Sequence, residues 1–127
     1  MAVVRDAHFP GRAPIEAYGN GGFRFAGMSH RGAILCLPSG IHGWKDAPPV
    51  APVGEDNLTP VFAEADAIEI LLVGTGNDLV PLPLAVRQRC AAAKIVAEAM
   101  STGAAVRTYN VLLAEERAVA AALLAVV

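Results

Sequence analysis

Gly74, Thr75 and Gly76 close the apolar run Ile70–Val73, at the point where a nucleotide-binding sheet would hand a phosphate to a helix. A dinucleotide fingerprint needs G-x-G-x-x-G with a helix starting at once, so that backbone N–H groups and the helix N-terminus face the pyrophosphate. Gly74 and Gly76 fit that spacing, but the third position is Leu79. A phosphate loop would need a Gly-Lys pair, and the sequence has none there. Val80-Pro81-Leu82-Pro83 delays the helix, and the nearby charge is Asp78, which repels phosphate. The stretch reads first as a structural turn. The alternative is a cleft in which Gly74, Thr75 and Gly76 offer backbone donors to a small ligand, at the carboxyl end of a central strand where open α/β sheets bind them.

Other reactive residue types do not assemble into a catalytic set. His8, His30 and His42 lack metal-ligand spacing, so neither a metal nor a cofactor is expected. Ser39 lies in LPSGIHGW, which lacks the G-x-S-x-G pattern of a nucleophile elbow. Glu115 and Glu116 are chain neighbours in a turn and do not face one bond. Arg107 and Asn110 lie one turn apart on the last predicted helix. They read as ties from that helix to an adjoining loop, with a place in the cleft beside Gly74–Gly76 as the alternative. Trp44, the single tryptophan, sits in a Gly/Pro-rich loop and reads as a packing anchor; exposed, it would be a natural hot spot for a partner. Cys36 and Cys90 have no CxxC partner and read as reduced, buried small hydrophobes.

The elements that must position these residues fit one domain over residues 1–127, with 1–12 expected to be peripheral or poorly ordered. Hydrophobic residues make up 54% and charged residues 17%, which is apolar for a soluble chain. Covered sheet faces, a homo-oligomer or a membrane contact would each explain it. The longest apolar run, Ala118–Val127, is ten residues, and a spanning helix needs roughly 20. No transmembrane segment is therefore expected. The first residues carry an early acid and no apolar h-region, which makes a cytoplasmic protein the default. Net charge is −2, and residues 46–86 hold seven carboxylates with no lysine or arginine. That span reads as a solvated face, or as a docking face of fixed sign. No basic stripe is present to neutralise phosphates, which argues against nucleic acid.

Residues 13–40 read as a β-meander: a strand at Ile15–Tyr18, a turn at Gly19–Gly22, a strand alternating Phe23, Arg24 and Phe25, and a third, fully apolar strand at Ala33–Leu37. Ile41–Val53 reads as a loop, since Pro48, Pro49 and Pro52 block a ladder. Thr59 and Pro60 would open a helical turn within 57–64. Ala67–Val73 is the central parallel strand. A helix follows from Leu84 to about Lys94, then a strand at Ile95–Ala99, then a helix capped by Ser101 or Thr102 and running to about Ala114. The alternation of strand and helix marks an α/β unit. Local propensity makes the alanine-rich tail narrowly helical.

Four segments, IEAYGNGGFRF, LPSGIHGW, EILLVGTG and MSTGAAVRTYNVLLAEERAVAAALL, together resemble a small uncharacterised bacterial and archaeal domain family that includes mitochondrial respiratory complex I assembly factor three. The likeness runs from about Ile15 to Leu124 and is most specific at Thr102, Ala105, Thr108, Asn110 and Arg117. The sequence departs from the pattern at Glu116, where the family usually has glycine before the arginine, and at Val106, where a cysteine is common. The resemblance implies a three-layer α/β fold around a mixed sheet of about five strands, with the tail as its antiparallel strand rather than a helix. It also implies a non-enzymatic, assembly-factor-like domain with no established catalytic residues. Its partner would be a protein, with a membrane-complex subunit as the example, and it would sit in the cytoplasm or peripherally at the inner membrane.

Overall fold

The structure is a computed structural model that describes residues 8–127, so the part of the expected peripheral segment before His8 lies outside the described residues. The strands are β1 (His8–Phe9), β2 (Ile15–Gly19), β3 (Gly22–Phe25), β4 (Met28–Arg31), β5 (Ile34–Leu37), β6 (Gly40–Gly43), β7 (Ile70–Gly74), β8 (Val96–Met100) and β9 (Val119–Leu123). The helices are α1 (Thr59–Ala63), α2 (Leu84–Ala92) and α3 (Thr102–Ala114). A main sheet runs in the order β1-β6-β5-β9-β7-β8, and β2, β3 and β4 form a separate antiparallel sheet. Discounting the two-residue β1, the main sheet has the expected five mixed strands.

The main sheet is covered on both faces, which accounts for the apolar composition. Along β7, Leu71 and Val73 point into a core shared with α1, α2 and Trp44, while Leu72 points to the opposite core, formed with α3 and the small sheet. Strands β5 and β9 divide in the same way: Leu35, Leu37, Ala120 and Ala122 face one core, and Ile34, Cys36, Ala121 and Leu123 the other. This is the period-2 alternation of a strand buried on both sides.

The tail is a strand, as the resemblance implied and against its local helix propensity. A helix made from Ala118–Val127 would be apolar all round and could bury only one face. As β9, all five of its residues are buried between β5 and β7. Its direction corrects the expectation, however. β9 runs parallel to β7, and the reversed strand of the five is β5, antiparallel to both β9 and β6.

Three further expectations are corrected. The third meander strand is β4, whose alternating half-buried and exposed pattern hides it among polar residues, while the apolar β5 leaves for the main sheet. The predicted loop at Ile41–Val53 begins instead as β6, which turns back on β5 and carries His42 opposite Leu35. At α1, Thr59 is the first helical residue rather than its cap, and Leu58 occupies the cap position.

Tight turns join the meander. Asn20 and Gly21 take φ of 52° and 79°, and Ala26 and Gly27 take 49° and 73°, the paired positive angles of two-residue hairpins. α3 starts at a Ser101 cap whose Oγ accepts the Ala104 N–H at 3.3 Å. Both long helices end on a left-handed residue. After α3, Glu116 (φ 59°) donates its N–H to Leu113 O at 2.9 Å, and Arg117 donates to Leu112 O at 3.0 Å. After α2, Lys94 (φ 62°) donates to Ala91 O at 3.0 Å, and Ile95 to Cys90 O at 2.9 Å. These paired bonds are the Schellman arrangement, which glycine favours.

Candidate functional site

The glycine turn stands where the carboxyl end of β7 meets the start of α3, and two threonines hold it closed. The Thr75 N–H donates to Met100 O at 2.8 Å. The Thr75 hydroxyl lies 2.6 Å from Asp78 O and 3.0 Å from Met100 O, and it accepts the Val80 N–H at 3.0 Å. Thr102, fully buried, donates its hydroxyl to Leu124 O at 2.7 Å and accepts the Gly76 N–H at 3.0 Å. The Thr102 N–H returns to Gly76 O at 2.8 Å. The N–H groups of Thr75 and Gly76, which an anion cradle would aim outward, are thus both engaged within the protein. Gly74 is needed for close approach: a Cβ there would lie 2.9 Å from a Leu123 methyl and 3.0 Å from the Thr102 Cα. The chemistry of this turn is that of a brace, in which hydroxyls replace the ladder bonds that the strand ends lack.

Asn110 is also a tie, but not to this turn. Its Nδ2 donates to Ile15 O at 2.9 Å and its Oδ1 accepts the Ile15 N–H at 2.8 Å. One side-chain amide thereby imitates the backbone of a neighbouring strand, pinning β2 to α3. Arg107, one turn earlier, is exposed and lies beside Gly103, where an added Cβ would run into the Tyr18 hydroxyl. Gly103 thus lets the end of β2 settle on the first turn of α3. Trp44 is only 5% exposed, and its indole N–H donates to Asn57 O at 2.8 Å. It anchors the proline-rich loop to the α1–α2 core.

One constellation escaped the sequence reading. The Ser39 hydroxyl is 2.6 Å from Glu64 Oε2 and 3.0 Å from His42 Nε2, and the Ser39 N–H donates to Glu64 Oε1 at 2.9 Å. The Ser-Gly-Ile-His spacing, folded into the β5–β6 hairpin, could have flagged Ser39 and His42; Glu64 comes from the end of α1. The polarity does not suit nucleophilic catalysis. Ser39 has one proton, and with that proton on the shorter contact to the carboxylate, the imidazole would have to serve as a donor to Oγ rather than as a base. The Ser39 N–H, a natural oxyanion donor, is held by the same carboxylate. The cluster clamps the hairpin to α1.

The buried pair Cys36 and Tyr109 completes the interior. Burial pushes the Cys36 thiol up to about 12, partly offset by its hydrogen bond with Tyr109. Burial and then the Cys36 charge likewise raise Tyr109 above the ordinary phenol range. Burial raises the Cys90 thiol as well, against a smaller opposing pull from Arg89. In the acidic span, Glu55 meets Arg89 at 3.5 Å and the Arg89 guanidinium stacks 4.5 Å over Phe62. Among the described residues no helix is long and apolar enough to cross a membrane.

Comparison with known proteins agrees with this architecture. The chain is 41% identical over 120 residues to an uncharacterized protein of Rhodobacter capsulatus, covering 94% of this chain and 90% of that one. It is 30% identical over 118 residues to mouse NADH dehydrogenase (ubiquinone) 1 alpha subcomplex assembly factor 3, covering 93% of this chain and 63% of the mouse protein. A crystal structure described as an outer membrane protein from Bartonella henselae superposes with a TM-score of 0.88 at 61% identity, covering 94% of this chain and all of that one. Residues 15–124 match the family described as Protein of unknown function (DUF498/DUF598), and the chain belongs to that family.

Proposed function

We propose that this chain is a non-enzymatic, assembly-factor-like domain that works by binding another protein. The observation that carries the reading is its relation to the mouse assembly factor across 93% of its own length. The internal engagement of Thr75, Gly76, Thr102 and Asn110 supports it, because these polar groups are committed to the fold. The partner is a protein, with a membrane-complex subunit as the leading class, met from the cytoplasmic side. Chemical crosslinking in native membranes followed by affinity capture of the chain tests this. Recovery of a membrane-complex subunit is the expected result, and capture of none argues against the reading. A thermal-shift screen of nucleotides, acyl thioesters and metabolites tests the small-ligand alternative at Gly74–Gly76, since binding to the native state raises the midpoint.

A further inference from the structure

β8 ends the main sheet, and its ladder to β7 leaves one set of backbone groups open. The Val96 N–H donates to Glu69 O at 2.9 Å and Met100 O accepts the Thr75 N–H at 2.8 Å. In a parallel ladder the residues engaged on one side alternate. Val96, Glu98 and Met100 therefore face β7, and the N–H and C=O groups of Ala97 and Ala99 point away from it, with no strand beyond among the described residues. A groove of about 640 Å³ runs along this edge on the α3 side, with Ile70, Leu72, Met100 and Leu112 among its lining residues. Val96 at its rim is 62% exposed. Lys94 and Glu98 line the same groove, both exposed and of opposite sign.

We propose that a second copy of this chain adds to β8 antiparallel, joining two main sheets into one across a twofold axis at Ala97. Only Ala97 and Ala99 offer outward backbone groups, which restricts the registers. An axis at Glu98 would set Glu98 directly opposite its twin, and like charges in that position are destabilising. An axis at Ala97 lets the two Ala97 residues exchange both backbone bonds. It also sets each Val96 across from the other copy's Glu98, and Lys94, which precedes β8 and lines the same groove, is brought toward that Glu98. Each dimer then contains two Lys94–Glu98 pairs, and the apolar groove is covered by the two Val96 side chains. Exposed edge strands of this kind are templates for pairing. The self-pairing is independent of the assembly reading and can fail without it.

Sedimentation velocity over a range from low micromolar to near millimolar tests the proposal. The expected result is a concentration-dependent dimer that weakens with added salt, as screened charge pairs do. Ala97→Pro removes an N–H that the chain's own ladder does not use, a substitution edge strands tolerate. It should leave a folded monomer and weaken association by about tenfold or more. Lys94→Glu should also weaken it, and adding Glu98→Lys to that variant should restore it, because the swapped charges meet across the axis. The restoration remains readable even if the proline variant fails to fold. A monomer at every concentration would overturn the proposal and leave β8 open to a strand from a different protein. A dimer indifferent to Ala97→Pro and to the charge swap would overturn it as well, by placing the interface elsewhere.

Discussion

The carboxyl end of β7 and the outer edge of β8 are one strand apart and differ in almost every respect. At the first, glycines and threonines crowd together and the N–H groups of Thr75 and Gly76, with both hydroxyls, have internal partners. At the second, two alanines and an exposed valine make an undistinguished sequence, yet backbone groups stand open beside an apolar groove. The contrast teaches that residue types suggest where chemistry could occur, while availability decides where it can. A turn that imitates a ligand loop is closed by its own hydroxyls, and a plain strand is left able to bind.

The sharpest way to break the comparison is to unmake the brace. Thr102→Val keeps the shape of a fully buried side chain but strands Leu124 O and the Gly76 N–H. At roughly 1–3 kcal/mol per buried group left unpaired, a loss of about 2–6 kcal/mol is expected in chemical denaturation. Gly74→Ala should join it, since the new methyl meets the Thr102 backbone and hydroxyl and a fully buried Leu123 methyl, which must all give way at once. If both variants kept wild-type stability, the turn would not be architectural and a ligand role would return.

Asn110→Ala comes next, at about 1–3 kcal/mol, because both its bonds go to Ile15 and the small sheet loses its tie to α3. Hydrogen exchange at β2 should accelerate more than at β7, which separates a local detachment from a general loss. Unchanged stability with lost capture of a partner would instead make Asn110 a binding residue.

How much of this was legible in the sequence depended on how far each contact reaches along the chain. The strand of β7, both long helices and the Ser101 cap follow from local periodicity and capping chemistry. β4 and β6 were hidden because they are short and their residues are partly polar or glycine, so no apolar alternation announces them. The Asn110 amide meets a backbone 95 residues away, and Ser39 meets Glu64 across 25. No local pattern encodes either meeting. The resemblance carried the tail to a strand, but only the pairing of β9 with both β5 and β7 shows which strand is reversed.

The closed interior should also reveal itself in pH. The Cys36 thiol ionises near 9.0 when unfolded but is pushed up to about 12 in the fold, so the folded state holds its proton longer. Between those values the unfolded state binds fewer protons and stability must fall as pH rises, by up to about 1.4 kcal/mol per pH unit from this group. Below pH 9 the contribution is fully present. Denaturation across that window, compared with Cys36→Ala, should give a shallower slope for the variant. The raised Tyr109 adds its own decline above the ordinary phenol value; the part due to burial stays in both proteins, and the part due to Cys36 leaves with the thiol and makes the variant's slope shallower still. Equal slopes would mean that the thiol is not held neutral.

The smallest expected effect is a gain. Glu116 is exposed, holds φ at 59°, and closes α3 through the bond from its N–H to Leu113 O. A side chain in the left-handed region costs roughly 1–2 kcal/mol, and glycine avoids this at an entropic cost of about half that. Glu116→Gly should therefore stabilise the chain by about 0.5–1 kcal/mol, a rise of a few degrees in the melting midpoint. Lys94 is the matched position at the end of α2, with the same angle and the same paired bonds. Lys94→Gly should raise monomer stability by a similar amount. The two differ in what lies outside them. Glu116→Gly should leave self-association unchanged, whereas Lys94→Gly should weaken it, because the charge facing Glu98 across the β8 edge is gone. If both variants associated as the parent does, the edge would be as closed as the glycine turn. If Glu116→Gly lowered stability, the carboxylate would be making a contact that outweighs the strain of its backbone.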